Sequence, residues 1–109
     1  MARDPGLEEL VRQDLGDRPG LSEKPMFGGL AFLVNGNLLC GAREDGMLVR
    51  LGKGNDDWAL ALPGIVQMVM GERRMHGWVR ASAESYGDDA LRQRLLDAAL
   101  AFVEALPPK

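Results

Sequence analysis

Apolar residues recur along this chain at two different spacings, and the change from one to the other marks out its elements. Leu7, Leu10, Val11 and Leu15 stand three and four positions apart, the repeat of a helix with one apolar face. The spacing predicts a helix over 5–17. Asp4 is placed to cap it, and Pro5 suits the first helical position, where a missing N–H is harmless. Gly16, Pro19 and Gly20 end it. Short apolar runs broken by turn residues follow, predicting strands over 21–27, 29–34, 37–42 and 47–51. Asn35-Gly36 favours a two-residue type I′ hairpin, whose central residues both need positive φ; Asn tolerates it and Gly adopts it freely. Asp45-Gly46 marks a second tight turn. Pro25 lacks a ladder donor, so its strand belongs at an edge or carries a bulge. Gly52-Lys53-Gly54 closes this four-strand meander. Asn55 can cap a short helix over 56–61, and Pro63-Gly64 turns the chain. A second hairpin is predicted from 65–70 and 75–81 around Gly71-Glu72-Arg73. The last helix, over 88–106, is stopped by Pro107-Pro108.

Register follows from the turns. A two-residue turn at Asn35-Gly36 pairs Leu33 with Leu38, Phe32 with Leu39 and Ala31 with Cys40. One at Asp45-Gly46 pairs Ala42 with Val49 and Cys40 with Leu51. Alternation then places Ala31, Leu33, Leu38, Cys40, Ala42, Met47, Val49 and Leu51 on one wholly apolar face, expected under the C-terminal helix. A three-residue second turn would need a bulge to reconcile the faces. The opposite face mixes Leu30, Phe32, Val34, Leu39 and Leu48 with Asn37, Arg43 and Arg50. On the last helix, Leu91, Leu95, Ala98, Ala99, Phe102 and Leu106 form a stripe. Leu96, Leu100 and Val103 widen it beyond the ~100° that a surface helix needs. Either the N-terminal helix or a second subunit is expected on that flank.

The fold class so predicted is α+β: two layers, with an antiparallel sheet (meander plus second hairpin) packed against N- and C-terminal helices. Monomers rarely expose large apolar patches, so a twofold homodimer is expected, with Leu30, Phe32, Leu39, Leu48, Leu96 and Leu100 as candidate interface. Val66, Met68 and Met70 share a face and read as core, where methionine fills gaps.

Length makes 1–109 a single domain that buries roughly two-thirds of its unfolded surface. One cysteine permits no intrachain disulfide. The formal charge of −3 argues against direct nucleic-acid binding, since such domains present net basic surface. Arg43, Arg50, Lys53, Arg73, Arg74 and Arg80 read as solvated positions. Met1-Ala2-Arg3-Asp4-Pro5-Gly6 leads into acidic residues rather than a signal-peptide core. The uncharged stretch 26–42 is interrupted by Asn35-Gly36-Asn37 and is shorter than the ~20 residues a spanning helix needs. A cytoplasmic protein without membrane contact is expected.

No catalytic, cofactor-binding or metal-binding residues can be assigned. His76, the only histidine, has no neighbouring nucleophile and reads as structural. Cys40 falls on the predicted core face, where cysteine behaves as a small hydrophobe. Gly28-Gly29 leads into a strand rather than a helix, so it reads as close backbone packing and not as a phosphate loop. Asp56-Asp57 and Asp88-Asp89 each begin a predicted helix, where negative charge is favoured, and lack partner ligands for a metal.

Lys24-Pro25-Met26-Phe27-Gly28-Gly29, a strand, Asn35-Gly36, a second strand, and Asp45-Gly46 with a third together resemble the TfoX N-terminal domain family. Met75-His76-Gly77-Trp78-Val79 is similar to that family's later strand, and the helix ending Val103-Glu104-Ala105-Leu106-Pro107 to its last helix. The family includes the Sxy-type regulators of natural competence. The resemblance implies a secretion-chaperone-like α+β fold in which dimers are common, and it carries over no catalytic residues. Better-known competence regulators have a further C-terminal helical domain, whereas this chain stops at Lys109. A stand-alone member is therefore expected, without the DNA-linked role of two-domain relatives. The function expected is a non-catalytic regulatory or adaptor domain, contacting an unidentified regulatory protein, in transcriptional regulation. The alternative is a small-molecule-binding module or enzyme with a pocket between helix and sheet.

Overall fold

The first helix begins as its sequence dictates. In the computed structural model, which describes residues 4–26 and 28–109, Asp4 accepts a hydrogen bond from the Leu7 N–H at 3.1 Å. Pro5 opens α1 (Pro5–Leu15), and the N–H of Gly16 closes it on the Arg12 carbonyl. The predicted end of the first strand at Phe27, and the terminal Met1-Ala2-Arg3, lie outside the described residues. Six strands then build one antiparallel sheet: β1 (Leu21–Met26), β2 (Gly29–Val34), β3 (Asn37–Arg43), β4 (Gly46–Arg50), β5 (Ile65–Met70) and β6 (Arg73–Ala81). Their order is β1-β2-β3-β4-β6-β5, so the meander is continued by β6, and β5 becomes the far edge. α2 (Asp57–Leu60) joins β4 to β5, and α3 (Ala83–Tyr86) and α4 (Asp89–Val103) follow β6. The result is the two-layer α+β fold expected, with Leu7 and Val11 of α1 and Leu95, Leu96 and Val103 of α4 in one core with the sheet.

The hairpin at Asn35-Gly36 forms as predicted. Both residues have positive φ, 53° and 82°, and Val34 pairs with Asn37. Gly29 shows why glycine sits there: a Cβ would lie 2.2 Å from the Ala42 carbonyl oxygen, so β2 could not approach β3 with any side chain at that position. The chain end packs on the same hairpin, with Lys109 N–H donating to the Asn35 carbonyl and Asn37 Nδ2 to that of Pro107.

Register departs from expectation in two places. Leu33 pairs with Leu38 as predicted, but Phe32 pairs with Cys40, leaving Leu39 as an extra residue in β3. This bulge brings Leu30, Phe32 and Val34 into phase with Cys40, Ala42, Met47 and Val49 beneath the helices. Ala31 and Leu33, predicted for that face, are turned to the other, and Leu38 packs there with Leu48, Met68 and Trp78. The second turn is made by Glu44 and Asp45, with Arg43 paired to Gly46 rather than Ala42 to Val49. Asp45 is held there because the Arg43 guanidinium grips its carboxylate (Nε donates to Oδ1 at 2.8 Å) and Arg80 donates to its carbonyl at 3.0 Å. The shift is of two residues, so the face of β4 is unchanged.

α4 is turned relative to its predicted stripe. Its buried residues are Arg92, Leu95, Leu96, Ala99, Leu100 and Val103, while Leu91, Ala98 and Phe102 are half-buried. The flank left open in the prediction is covered by α1, whose Leu7, Val11 and Leu15 share the core with it. Arg92 explains the rotation. Its guanidinium, 4 % exposed, donates to the Asp14 carboxylate of α1, to the Tyr86 carbonyl at 2.8 Å and to Asp89 Oδ1 at 2.9 Å. One cation thereby fastens α1, α3 and α4 together.

Removing one partner of a buried pair leaves the other charge uncompensated. Arg92→Ala is therefore expected to lower unfolding stability by about 3–5 kcal/mol, with Asp14→Asn milder because Asp89 and the Tyr86 carbonyl remain. Urea denaturation of the two variants beside the parent measures both, and a loss below about 1 kcal/mol, within the range of exposed pairs, would contradict the clamp.

Candidate functional site

The six residues expected to form an interface lie inside the monomer. Leu30, Phe32 and Leu39 are 5 %, 0 % and 0 % exposed, because the bulge in β3 turns them under the helices. Leu96 and Leu100 are buried against α1 and the sheet. Leu48 keeps its predicted face, but it too is fully buried, in a small cluster with Met68 and Trp78 flanked by Leu38 and Met75. These residues are core and supply no free surface.

The exposed apolar surface is elsewhere. Among the described residues the large hydrophobics that stand open to solvent are Val66, Val69 and Met70, and all three belong to β5. Met68 is buried as the core reading expected, whereas Val66 and Met70 are not. The difference arises because β5 is an edge strand, paired only to β6, with a register break between Gln67 and Val69. Its six residues, Ile65-Val66-Gln67-Met68-Val69-Met70, carry no charge.

The opposite edge is built differently. β1 places Glu23, Lys24 and Pro25 at exposed positions, and Arg12 of α1 reaches across to Glu23, with Nε to Oε2 at 2.8 Å. Charge and proline are the usual protection of a sheet edge against further pairing. β1 has both; β5 has neither. This contrast was visible in the sequence, but only the strand order shows that 65–70 is an edge.

Side chains singled out for chemistry do not converge. His76 is exposed on β6, its Nδ1 3.2 Å from the Gln67 amide nitrogen. Cys40 is fully buried beneath the helices, and burial pushes its thiol well above the ordinary range. Asp88 caps α4 by accepting from the Leu91 N–H at 3.1 Å. Among the described residues no three His, Cys, Asp or Glu side chains gather as metal ligands, and no helix is long and apolar enough to cross a membrane.

A cleft of about 810 Å³ opens between α4 and the loop after β4. Trp58 and Phe102 flank it, Leu51 and Ala98 form apolar walls, and Asp57 stands at the polar end. Both rings are backed by cations: Arg94 lies 4.1 Å from the Trp58 ring centre and Arg50 lies 5.5 Å from that of Phe102.

An open antiparallel sheet with helices on one face and one edge free of charge and proline makes this a small α+β domain. The chain belongs to the TfoX N-terminal domain family, whose model matches residues 13–103. That family is non-enzymatic. No curated protein and no solved structure matches the chain.

The burial of Cys40 has a direct chemical consequence, since the thiolate is the reactive form. A disulfide reagent at pH 8 is expected to leave the native protein unlabelled and to titrate one thiol once urea unfolds it. Rapid labelling without denaturant would contradict the placement of β3 under the helices.

Proposed function

We propose that this domain is a non-catalytic adaptor that works by adding a strand to the outer edge of β5, and that a second copy of the chain is its first partner. The observation that carries the proposal is the concentration of exposed Val66, Val69 and Met70 on an uncharged edge strand, while β1 is guarded. Strand addition takes its affinity from main-chain hydrogen bonds and its selectivity from alternate side chains. β5 paired antiparallel with its own copy about a twofold axis meets no like charge, and the isologous contact buries the apolar residues of both copies at once. A regulatory protein offering an extended apolar segment would compete for the same edge. The extension to transcriptional regulation rests on family membership alone, and the net charge of −3 speaks for a protein partner rather than direct nucleic-acid contact. The Trp58–Phe102 cleft supports the alternative, a small-molecule module, and a saturating rise in Tm with one metabolite would favour it.

Sedimentation equilibrium at tens of micromolar tests the pairing. The parent is expected to approach twice the chain mass of 11.9 kDa, and a Val66→Lys, Val69→Lys double variant to return to the monomer with its thermal unfolding unchanged. A parent mass near 11.9 kDa throughout that range would remove the second copy as partner.

A further inference from the structure

We propose that the pocket where the Gly52-Lys53-Gly54 turn meets β6 and α4 binds the carboxylate head of a small organic acid, held by Arg50, Lys53 and His76. The pocket measures about 220 Å³. Whole-ligand pockets begin at roughly 300 Å³, so this one suits a head group with a short stem. Arg50, Lys53 and His76 supply its polar side chains, and Phe102 adds an aromatic wall. Gly52, Gly77 and Trp78 complete the lining, which contains no carboxylate of the described residues. Gly77 is what lets β6 approach the turn, since a Cβ there would lie 2.6 Å from the Lys53 backbone nitrogen.

Arg50 is set apart from the other arginines that are buried or half-buried. Arg12 pairs with Glu23, Arg18 with Glu104, Arg43 with Asp45 and Arg92 with Asp14. Arg80 donates to the Asp45 carbonyl, and the Asp45 carboxyl is held below its usual range by Arg43 first and Arg80 after it. Arg50, half-buried as well, pairs with no carboxylate among the described residues. Its Nη1 donates to the Leu38 carbonyl at 3.3 Å, and its guanidinium lies 5.5 Å from the Phe102 ring centre. These contacts hold the group in place while its remaining N–H groups reach solvent. A guanidinium so held presents a planar fork of donors that matches a carboxylate with two parallel hydrogen bonds.

The other two side chains are donors as well. Lys53 stands exposed on the turn, and its ammonium has no partner among the described residues. The Gln67 amide nitrogen can only donate, so His76 Nδ1, 3.2 Å away, accepts, and the neutral ring carries its proton on Nε2. Three donors with no acceptor side chain among them call for an oxyanion. The neighbouring hollow selects its charge. Asp56 and Asp57 line that hollow, which shares Lys53 and His76, although neither carboxylate pairs with the lysine. Two negative charges close by oppose a doubly charged guest, which favours a carboxylate over a phosphate. Phe102 gives apolar surface for the carbon stem. Arg50, Lys53 and Phe102 lie outside β5, so the site stands or fails independently of strand addition at that edge.

Amide chemical shifts during titration with sodium butyrate at neutral pH test the site, with sodium chloride at matched ionic strength, n-butanol and inorganic phosphate as comparisons. Saturable shifts at the Lys53 and Gly77 amides are expected with butyrate and not with butanol or chloride. Arg50→Gln should weaken binding by about tenfold or more, the loss of a charge-assisted hydrogen bond. Lys53→Gln, at an exposed position, should weaken it by about two- to fivefold with thermal unfolding unchanged. Lys24→Gln, on the far edge strand, removes the same net charge and should bind as the parent does. Shifts that follow chloride or butanol equally, or that persist unchanged in Arg50→Gln and Lys53→Gln, would overturn the proposal. So would an equal loss in Lys24→Gln, which would mean a general charge effect, or phosphate saturating the same amides at lower concentration than butyrate. The comparison of butyrate with butanol uses the parent alone and decides the matter even if Arg50→Gln fails to fold.

Discussion

One residue more in β3 than in β2 determines which side of this sheet is dry. With strict alternation from the Asn35-Gly36 turn, Leu30, Phe32 and Leu39 would face away from the helices. The extra position at Leu39 restores the phase, so that Leu30, Phe32, Cys40, Ala42, Met47 and Val49 all meet α1 and α4. The balance is plain in magnitude. A bulge forfeits about one ladder hydrogen bond, a net 0.5–1.5 kcal/mol, whereas burying each large side chain is worth roughly 1.5–3 kcal/mol. Three such residues outweigh one bond, and the rest of the core is arranged around that outcome.

What the chain discloses in advance is what it encodes locally. The Asp4 cap, the positive-φ turn at Asn35-Gly36, the break at Pro63 and the long last helix each depend on residues a few positions apart. All of them appear in the structure. The features that were not legible depend on distant partners. The turn at Glu44-Asp45 is fixed by Arg80, 35 residues on, and α4 is rotated by an arginine whose carboxylate partner lies 78 residues back. A reading that sends every charge to the surface cannot place Arg92 in a buried stripe. α3, a single turn of four residues between Ser82 and Gly87, is too short for periodicity to reveal.

The surface proposed for function was harder to foresee for the same reason. Leu30, Phe32 and Leu39 became interface candidates only because the bulge was absent from the assumed register. The uncharged run in β5 reads as core when its neighbours are unknown, and it becomes an exposed edge once β6 is seen to lie between it and β4.

The asymmetry of the two sheet edges also limits how large any assembly can grow. A sheet adhesive at both edges can recruit copies without end, which is the route to fibres. Here Glu23, Lys24 and Pro25 make β1 a terminus, so that the strand addition proposed for β5 would be confined to one side of the molecule. A body with a single adhesive edge exhausts it in one encounter. On the proposed pairing, a finite stoichiometry would follow from the order of the strands.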